Sequence, residues 1–240
     1  MAQQTIATHP TLNRIRERGY WRIIIRPAQF DPERIAEPQQ LAPLVASAAT
    51  HHRRGEFPSI GNQATLAYGN DWLENAVDWE PRLEYWRLYQ SGQFLHYAAL
   101  SEDWNTRSFR WHTQSGIQAG VFLPIYDSVY RVTEIFEFAA NLALSRVYSA
   151  GSIIHIELLC QSLSGRQLYN DAATQRTIFL IGNRPANESV FRRALDIPIS
   201  DLVANSHDLA LQTVERLIRL FHWQVTPGLL KQIQAEFSEA

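Results

Sequence analysis

Two runs of aromatic and aliphatic residues, Leu83 to Gln90 and Gln93 to Leu100, flank Ser91-Gly92. That spacing is the signature of a tight β-hairpin, so the middle of the chain is committed to antiparallel pairing. Within the first run Trp86, Leu88 and Gln90 alternate with Tyr85, Arg87 and Tyr89, so one face buries aromatics and the other is mixed. Five of the seven tryptophans fall between Trp72 and Trp111, which places a packed aromatic centre around this hairpin. Trp72, Trp79 and Trp86 recur every seven residues, but the hairpin claims Trp86, so the spacing is accidental and core packing is expected for all three.

Other segments supply partners for that sheet. Tyr20 to Arg26 is a β-branched and aromatic run ended by Pro27 and predicts a strand, preceded by a short polar helix or turn over Asn13 to Gly19. Asp31 to Val45 predicts a helix with Asp31 as N-cap and Pro32 at its first position. His51 to Gly61 is rich in breakers. From Ile125 to Tyr148 the period becomes helical, with apolar residues over most of the circumference, so this is the central core helix. Ser152 to Leu159 and Gln175 to Gly182 predict strands. After Pro198, Ser200 or Asp201 caps an amphipathic helix to about His222, with a stripe of Val203, Ala210, Val214, Leu217, Ile218 and Phe221, and Thr226-Pro227 opens a last helix to about Phe237. The expectation is an α+β fold, a mainly antiparallel sheet packed on a central apolar helix and C-terminal helices, in one domain over 1–240 with its weak point at 51–61.

With 240 residues, 45% hydrophobic and 19% charged, the chain can bury a sizeable core. The single Cys160 sits in an apolar run, which suits a buried small hydrophobe rather than a nucleophile and rules out a disulfide within the chain. The start, Met1 to Pro10, has neither the basic nor the apolar region of a signal peptide, and no window reaches the ~20 apolar residues of a membrane span. A cytoplasmic location with no membrane contact is the expectation.

Net charge is −2, but residues 1–55 carry eight Arg against four acids, and residues 56–104 carry eight acids against two Arg. Of 22 basic residues only Lys231 is a lysine, and arginine makes planar bidentate contacts with carboxylates and phosphates. Arg14, Arg16 and Arg18, together with His51-His52-Arg53-Arg54, could therefore hold nucleic-acid phosphates, or pair with the acidic 71–84 segment of the same molecule. Internal pairing is the favoured expectation.

No constellation for chemistry stands out. His155 and Glu157 share a strand face, but Cys160 has no partner cysteine to complete a zinc-deaminase pattern, so no metal and no cofactor are expected. Glu134 and Glu137 lack the histidine of a bundle metal site, and Asp127, Arg131 and Glu134 form an ordinary salt-bridged stripe. Ser206-His207-Asp208 are adjacent on a helix and point apart, so they are polar helix surface. Trp104 and Trp111, with Arg107 and Arg110, are the expected partner-binding surface, since tryptophan and arginine are enriched at interfaces.

Ile15-Arg16-Glu17-Arg18-Gly19-Tyr20-Trp21 with Arg26-Pro27, Gly69-Asn70-Asp71-Trp72, Trp86 to Phe94, and Thr133 to Ala140 together resemble the C-terminal module that follows a Schlafen AlbA-type DNA-binding domain in many bacterial proteins. The resemblance spans roughly residues 10–224 and carries no catalytic residue. With no AlbA-type domain expected ahead of it, the resemblance implies a bacterial accessory module that pairs with a separately encoded effector, in defence against phage. The expected function is thus a non-enzymatic sensing or scaffolding protein that binds a partner protein or a second copy of itself, with nucleic-acid binding through the Arg-rich first quarter as the alternative.

Overall fold

Tyr20–Pro27 (β1) forms the strand its β-branched run dictates, and Pro27, lacking an N–H, ends it. In the computed structural model, which describes residues 9–52, 55–61, 65–104, 120–145, 147–148, 152–169 and 184–238, this strand lies near the middle of a seven-stranded sheet. It pairs antiparallel with Phe94–Ala99 (β7) on one side and Ile153–Gln161 (β9) on the other, Trp21 facing Ala98 and Cys160. The remaining strands are Ala67–Tyr68 (β4), Trp72–Trp79 (β5), Arg82–Tyr89 (β6) and Val190–Pro198 (β11). The order is β11-β9-β1-β7-β6-β5-β4, antiparallel throughout. Two small pairs accompany it: Thr50–His52 (β2) with Gly55–Phe57 (β3), and Phe122–Pro124 (β8) with Gln167–Tyr169 (β10). The chain is α+β, as the hairpin requires.

The hairpin joins β6 to β7 through Gln90, Ser91 and Gly92. Tyr89 N–H donates to Gln93 O at 2.9 Å, and Gly92 takes φ +79°, the left-handed residue that a three-residue hairpin loop needs.

One face of the sheet carries Trp21, Ile23, Ile25, Trp86, Phe94 and Ile156, all buried, and against it lies Ile125–Leu144 (α4). Phe138 of α4 packs on Phe94 at 4.6 Å and on Phe57 at 5.8 Å between ring centres. Leu41–Ala48 (α2), Ile199–Arg219 (α5) and Pro227–Ser238 (α6) close round the rest of α4. The opposite face is covered by the short Pro10–Arg16 (α1), which builds a second cluster of Leu12, Ile15, Tyr85, Tyr97 and Trp104. Ser101–Trp104 (α3) follows β7.

Several local expectations are corrected. Asp31 accepts from Glu33 N–H at 3.1 Å and so makes a turn, not a helix cap, and Glu37 before Pro38 is extended, so α2 starts at Leu41 instead of Pro32. Trp79 is 59% exposed at the end of β5 and is not core. Helix α5 begins at Ile199 without a side-chain cap, and its non-helical Asn205 resets the phase, so Leu202 is buried while Val203 faces outward. It ends at Arg219, before His222 at φ +56°. Strand β11 had no counterpart in the sequence reading, and the strand expected over Gln175–Gly182 lies outside the described residues. The breaker-rich stretch at 51–61 is tied to the core by Phe57, 1% exposed.

Phe138→Ala leaves a cavity at the junction of α4, β3 and β7, and should cost about 3–5 kcal/mol of unfolding free energy in a chemical denaturation series.

Candidate functional site

Where α4 leaves the end of the sheet its polar residues meet the inner face of β6. Asp127, Arg131 and Glu134, at i, i+4 and i+7, form one stripe on the helix. On the sheet side Arg82 and Glu84 alternate with outward-facing Leu83 and Tyr85, and Glu56 comes from β3. These six side chains line a cavity of about 280 Å³. Arg82 Nη2 donates to Glu56 O at 2.9 Å and stands 3.6 Å from Glu84 Oε2, while Arg131 Nη1 is 3.3 Å from Glu134. Trp79 is the direct cross-strand partner of Arg82, so its indole belongs to the same face of the sheet.

Glu84 is 1% exposed, and its Oε1 accepts from Ser59 N–H at 2.8 Å and from His96 Nε2 at 3.0 Å. Burial pushes this carboxyl up, but the His96 hydrogen bond and the Arg131 and Arg82 charges outweigh it and bring it down to about 2. Burial holds the His96 imidazole below its usual range, so the proton it keeps is the one Nε2 donates. Glu84 Oε2 accepts no hydrogen bond.

Beside the cavity, α3 is clamped by a buried ion pair. Arg166 donates to Asp103 through Nη1 at 2.9 Å and Nη2 at 2.5 Å, to Ser162 O through Nε at 2.6 Å and to Phe122 O at 2.9 Å. Asp103 also accepts from Gly19 N–H at 2.9 Å. Gly19 must be glycine, because a Cβ there would stand 2.5 Å from Arg166 Nη2 and 2.8 Å from Asp103 Oδ2. Glu102 next to this clamp has no hydrogen bond at either oxygen; burial, with Asp127 and Asp103 nearby, holds its carboxyl well above the usual range. A more open depression of about 490 Å³, lined by Arg18, Ser162, Ser164 and the clamp, lies on the other side.

Arg14, Arg16 and Arg18 make contacts within the fold, Arg16 and Arg18 while remaining exposed. Arg14 pairs with Asp78 and, at 2.9 Å, with Glu80; Arg16 donates to Tyr97 Oη at 2.9 Å; Arg18 donates to Asp103 O. Guanidiniums of Arg14 and Arg18 lie 5.2 and 4.3 Å from the Trp104 ring. Covered in this way, Trp104 is 4% exposed and does not form the surface expected of it. Arg53, Arg54, Arg107, Arg110 and Trp111 lie outside the described residues. Arg22 and Arg192 hold Glu157, and His155 pairs with Asp196 at 2.7 Å, so the His155 and Glu157 face meets polar neighbours. Burial, with Glu102 and Asp103 close by, pushes the Cys160 thiol up. Its reactive thiolate is therefore suppressed.

Sequence reasoning missed one constellation. Glu137 takes His52 Nε2 on one oxygen at 2.6 Å and His207 Nε2 on the other at 2.5 Å, joining β2, α4 and α5. Phe237 of α6 packs, tilted, against the His52 ring with ring centres 4.0 Å apart. His207, expected as plain helix surface, is thus half of a latch; the 70 and 85 residues separating the partners leave no local signal.

Among the described residues no group of three His, Cys, Asp or Glu is placed to hold a metal ion, and no helix is long and apolar enough to cross a membrane. No protein-family model, curated protein or solved structure matches the chain.

The latch and the clamp make separate predictions. Hydrogen bonding to Glu137 raises the His207 pKa, so its stabilisation is complete below the ordinary histidine value of ~6.5 and fades as pH rises through the raised folded value. The Glu137 carboxyl is lowered, burial being outweighed by His207 and His52, so its share fades only as pH falls through that depressed value. The gap in denaturation midpoint between wild type and His207→Ala should be wider at pH 6 than at pH 8.5. Asp103→Ala strands the Arg166 charge in the interior and should cost about 3–5 kcal/mol in the same assay.

Proposed function

We propose that this chain is a non-enzymatic sensing or scaffolding module that binds a partner protein, separately encoded or a second copy of itself. The observation that carries this reading is Trp79, 59% exposed at the end of β5 and beside the charged cavity. A large exposed aromatic next to desolvated charge is the pattern of an interface hot spot. Tyr68, 54% exposed on β4, adds a second aromatic to the same edge of the sheet. The acids and bases that sequence alone offered for catalysis support the reading from the other side: Glu157, His155, Glu137 and His207 are each engaged in hydrogen bonds or ion pairs within the fold, and Cys160 is buried.

The resemblance to modules that follow AlbA-type domains supports a bacterial cytoplasmic effector as the partner and phage defence as the setting. Nucleic-acid binding is the weaker reading, because Arg14, Arg16 and Arg18 already hold Asp78, Glu80, Tyr97 and Trp104.

Size-exclusion chromatography with light scattering, on the protein alone and with the products of adjacent genes, should give a dimer or a complex with one of them. Trp79→Ala should weaken that association tenfold or more. A monomer that associates with none of them would contradict the proposal, as would a salt-sensitive shift of labelled oligonucleotide in its place.

A further inference from the structure

The two edges of the sheet differ. At one, β4 spans two residues; at the other, β11 spans nine, Val190–Pro198, and pairs along its whole length with β9. On its far side β11 has no neighbouring strand, and among the described residues no backbone group of Val190–Pro198 bonds to anything there. Alternate N–H and C=O groups of a strand point away from its neighbour, so a row of donors and acceptors is left for another strand. The outer-face side chains of β11 are arranged about a centre. Arg192 lies two residues before the exposed Ala194, and Asp196 two residues after it. Both charged side chains are largely exposed, 65% and 69%, and each spends part of its bonding capacity within the fold: Arg192 donates through Nη2 to Glu157, and Asp196 engages His155 through Oδ1. Arg192 Nη1 and Asp196 Oδ2 bond to nothing among the described residues. A strand of this pattern is complementary to itself when antiparallel. Placing Ala194 opposite Ala194 of a second copy sets each Arg192 opposite an Asp196 and each Val190 opposite a Pro198. Centring the pair on Arg192 or on Asp196 would set like charges against each other, so the pattern picks one register.

We infer that β11 is a self-association edge, on which a second copy of this chain pairs antiparallel through Val190–Pro198 about a two-fold axis at Ala194. The two seven-stranded sheets then run on as one. The backbone ladder supplies the attraction. The Arg192 and Asp196 pairs fix the register, since exposed ion pairs add little affinity while like charges directly opposite each other oppose pairing. This goes beyond the partner-binding reading, which rests on Trp79 toward the other edge of the sheet, and it leaves that surface open to a separately encoded partner. One strand pair makes a small interface, so the dimer is weak and forms as concentration rises.

Sedimentation velocity of the full chain at rising concentration tests this, with backbone hydrogen exchange followed over Val190–Pro198. A monomer–dimer equilibrium is expected, and exchange in β11 should slow as the dimer fills. Reversing one charge, by Arg192→Asp or Asp196→Arg, puts like charges opposite each other at both ends of the pair and should weaken the dimer about tenfold, with unchanged circular dichroism. Mixing the two variants should restore wild-type association, because every Asp then faces an Arg. A monomer at every concentration overturns the inference, as does a dimer that both variants form as strongly as wild type. Mixed variants that associate no better than either alone overturn it too. A complex with a separately encoded protein, formed by a chain that stays monomeric by itself, would sink this inference alone. Dimerisation through β11 by a chain that binds no other protein would sink only the reading of Trp79 as a docking surface.

Discussion

Helix α4 is apolar around most of its circumference, and such a helix must be enclosed on every side to be stable in water. The sheet supplies one wall through Trp21, Trp86 and Phe94, and α2, α5 and α6 supply the others. What polarity α4 has must then be met by the elements that enclose it, because a charge left unpaired in such a place costs several kcal/mol. Three polar groups along the helix are answered from different directions. Asn141 donates to Ala48 O of α2, Glu137 receives histidines from β2 and α5, and Thr133 accepts from Gln234 of α6. At the N-terminal half, where Asp127, Arg131 and Glu134 look toward β6, the enclosure leaves an open volume. The candidate site is a place where burying α4 leaves room beside charged groups.

The same logic accounts for the use of arginine across the molecule. The Arg-rich first quarter and the acidic stretch that follows it are brought face to face by α1 lying on β5, β6 and β7. Glu74, Arg87 and Tyr85 form a further network on that outer face, with the Arg87 guanidinium 4.1 Å from the Trp72 ring. Arginine serves these positions because one planar group can pair with a carboxylate and stack on an aromatic ring at once. The segregation of charge along the chain is therefore a folding instruction before it is a surface property.

Much of this was legible in the sequence, and the failures have physical causes. The hairpin, β1, β9 and α4 follow from strong periodicity, and the turning inward of Arg14 toward Asp78 and Glu80 follows from complementary charge. Strand β11 escaped because Arg192 and Arg193 stand side by side, one facing out to Glu157 and the other buried against Thr213, so its polar residues do not alternate visibly. Trp104 was misjudged because polar neighbours in sequence suggested exposure, whereas α1, some ninety residues earlier, covers it. The cavity was split between two readings: Asp127, Arg131 and Glu134 were visible as a helical stripe, but nothing local announces that Glu84 and Glu56 will face them across a sheet. Long-range juxtaposition is what periodicity and spacing do not encode.

The central claim is that enclosure of α4 sorts the carboxyl groups around it, lowering the pKa of those that receive hydrogen bonds and raising that of those buried without one. A site-resolved carboxyl titration by NMR measures this directly. Glu84 should titrate at about 2 and Glu102 well above the ordinary carboxylate range, although the two sit on neighbouring elements. Finding both between about 4 and 4.5, as for exposed glutamates, would contradict the account, because it would mean that water reaches the surroundings of α4 and that no sorting takes place.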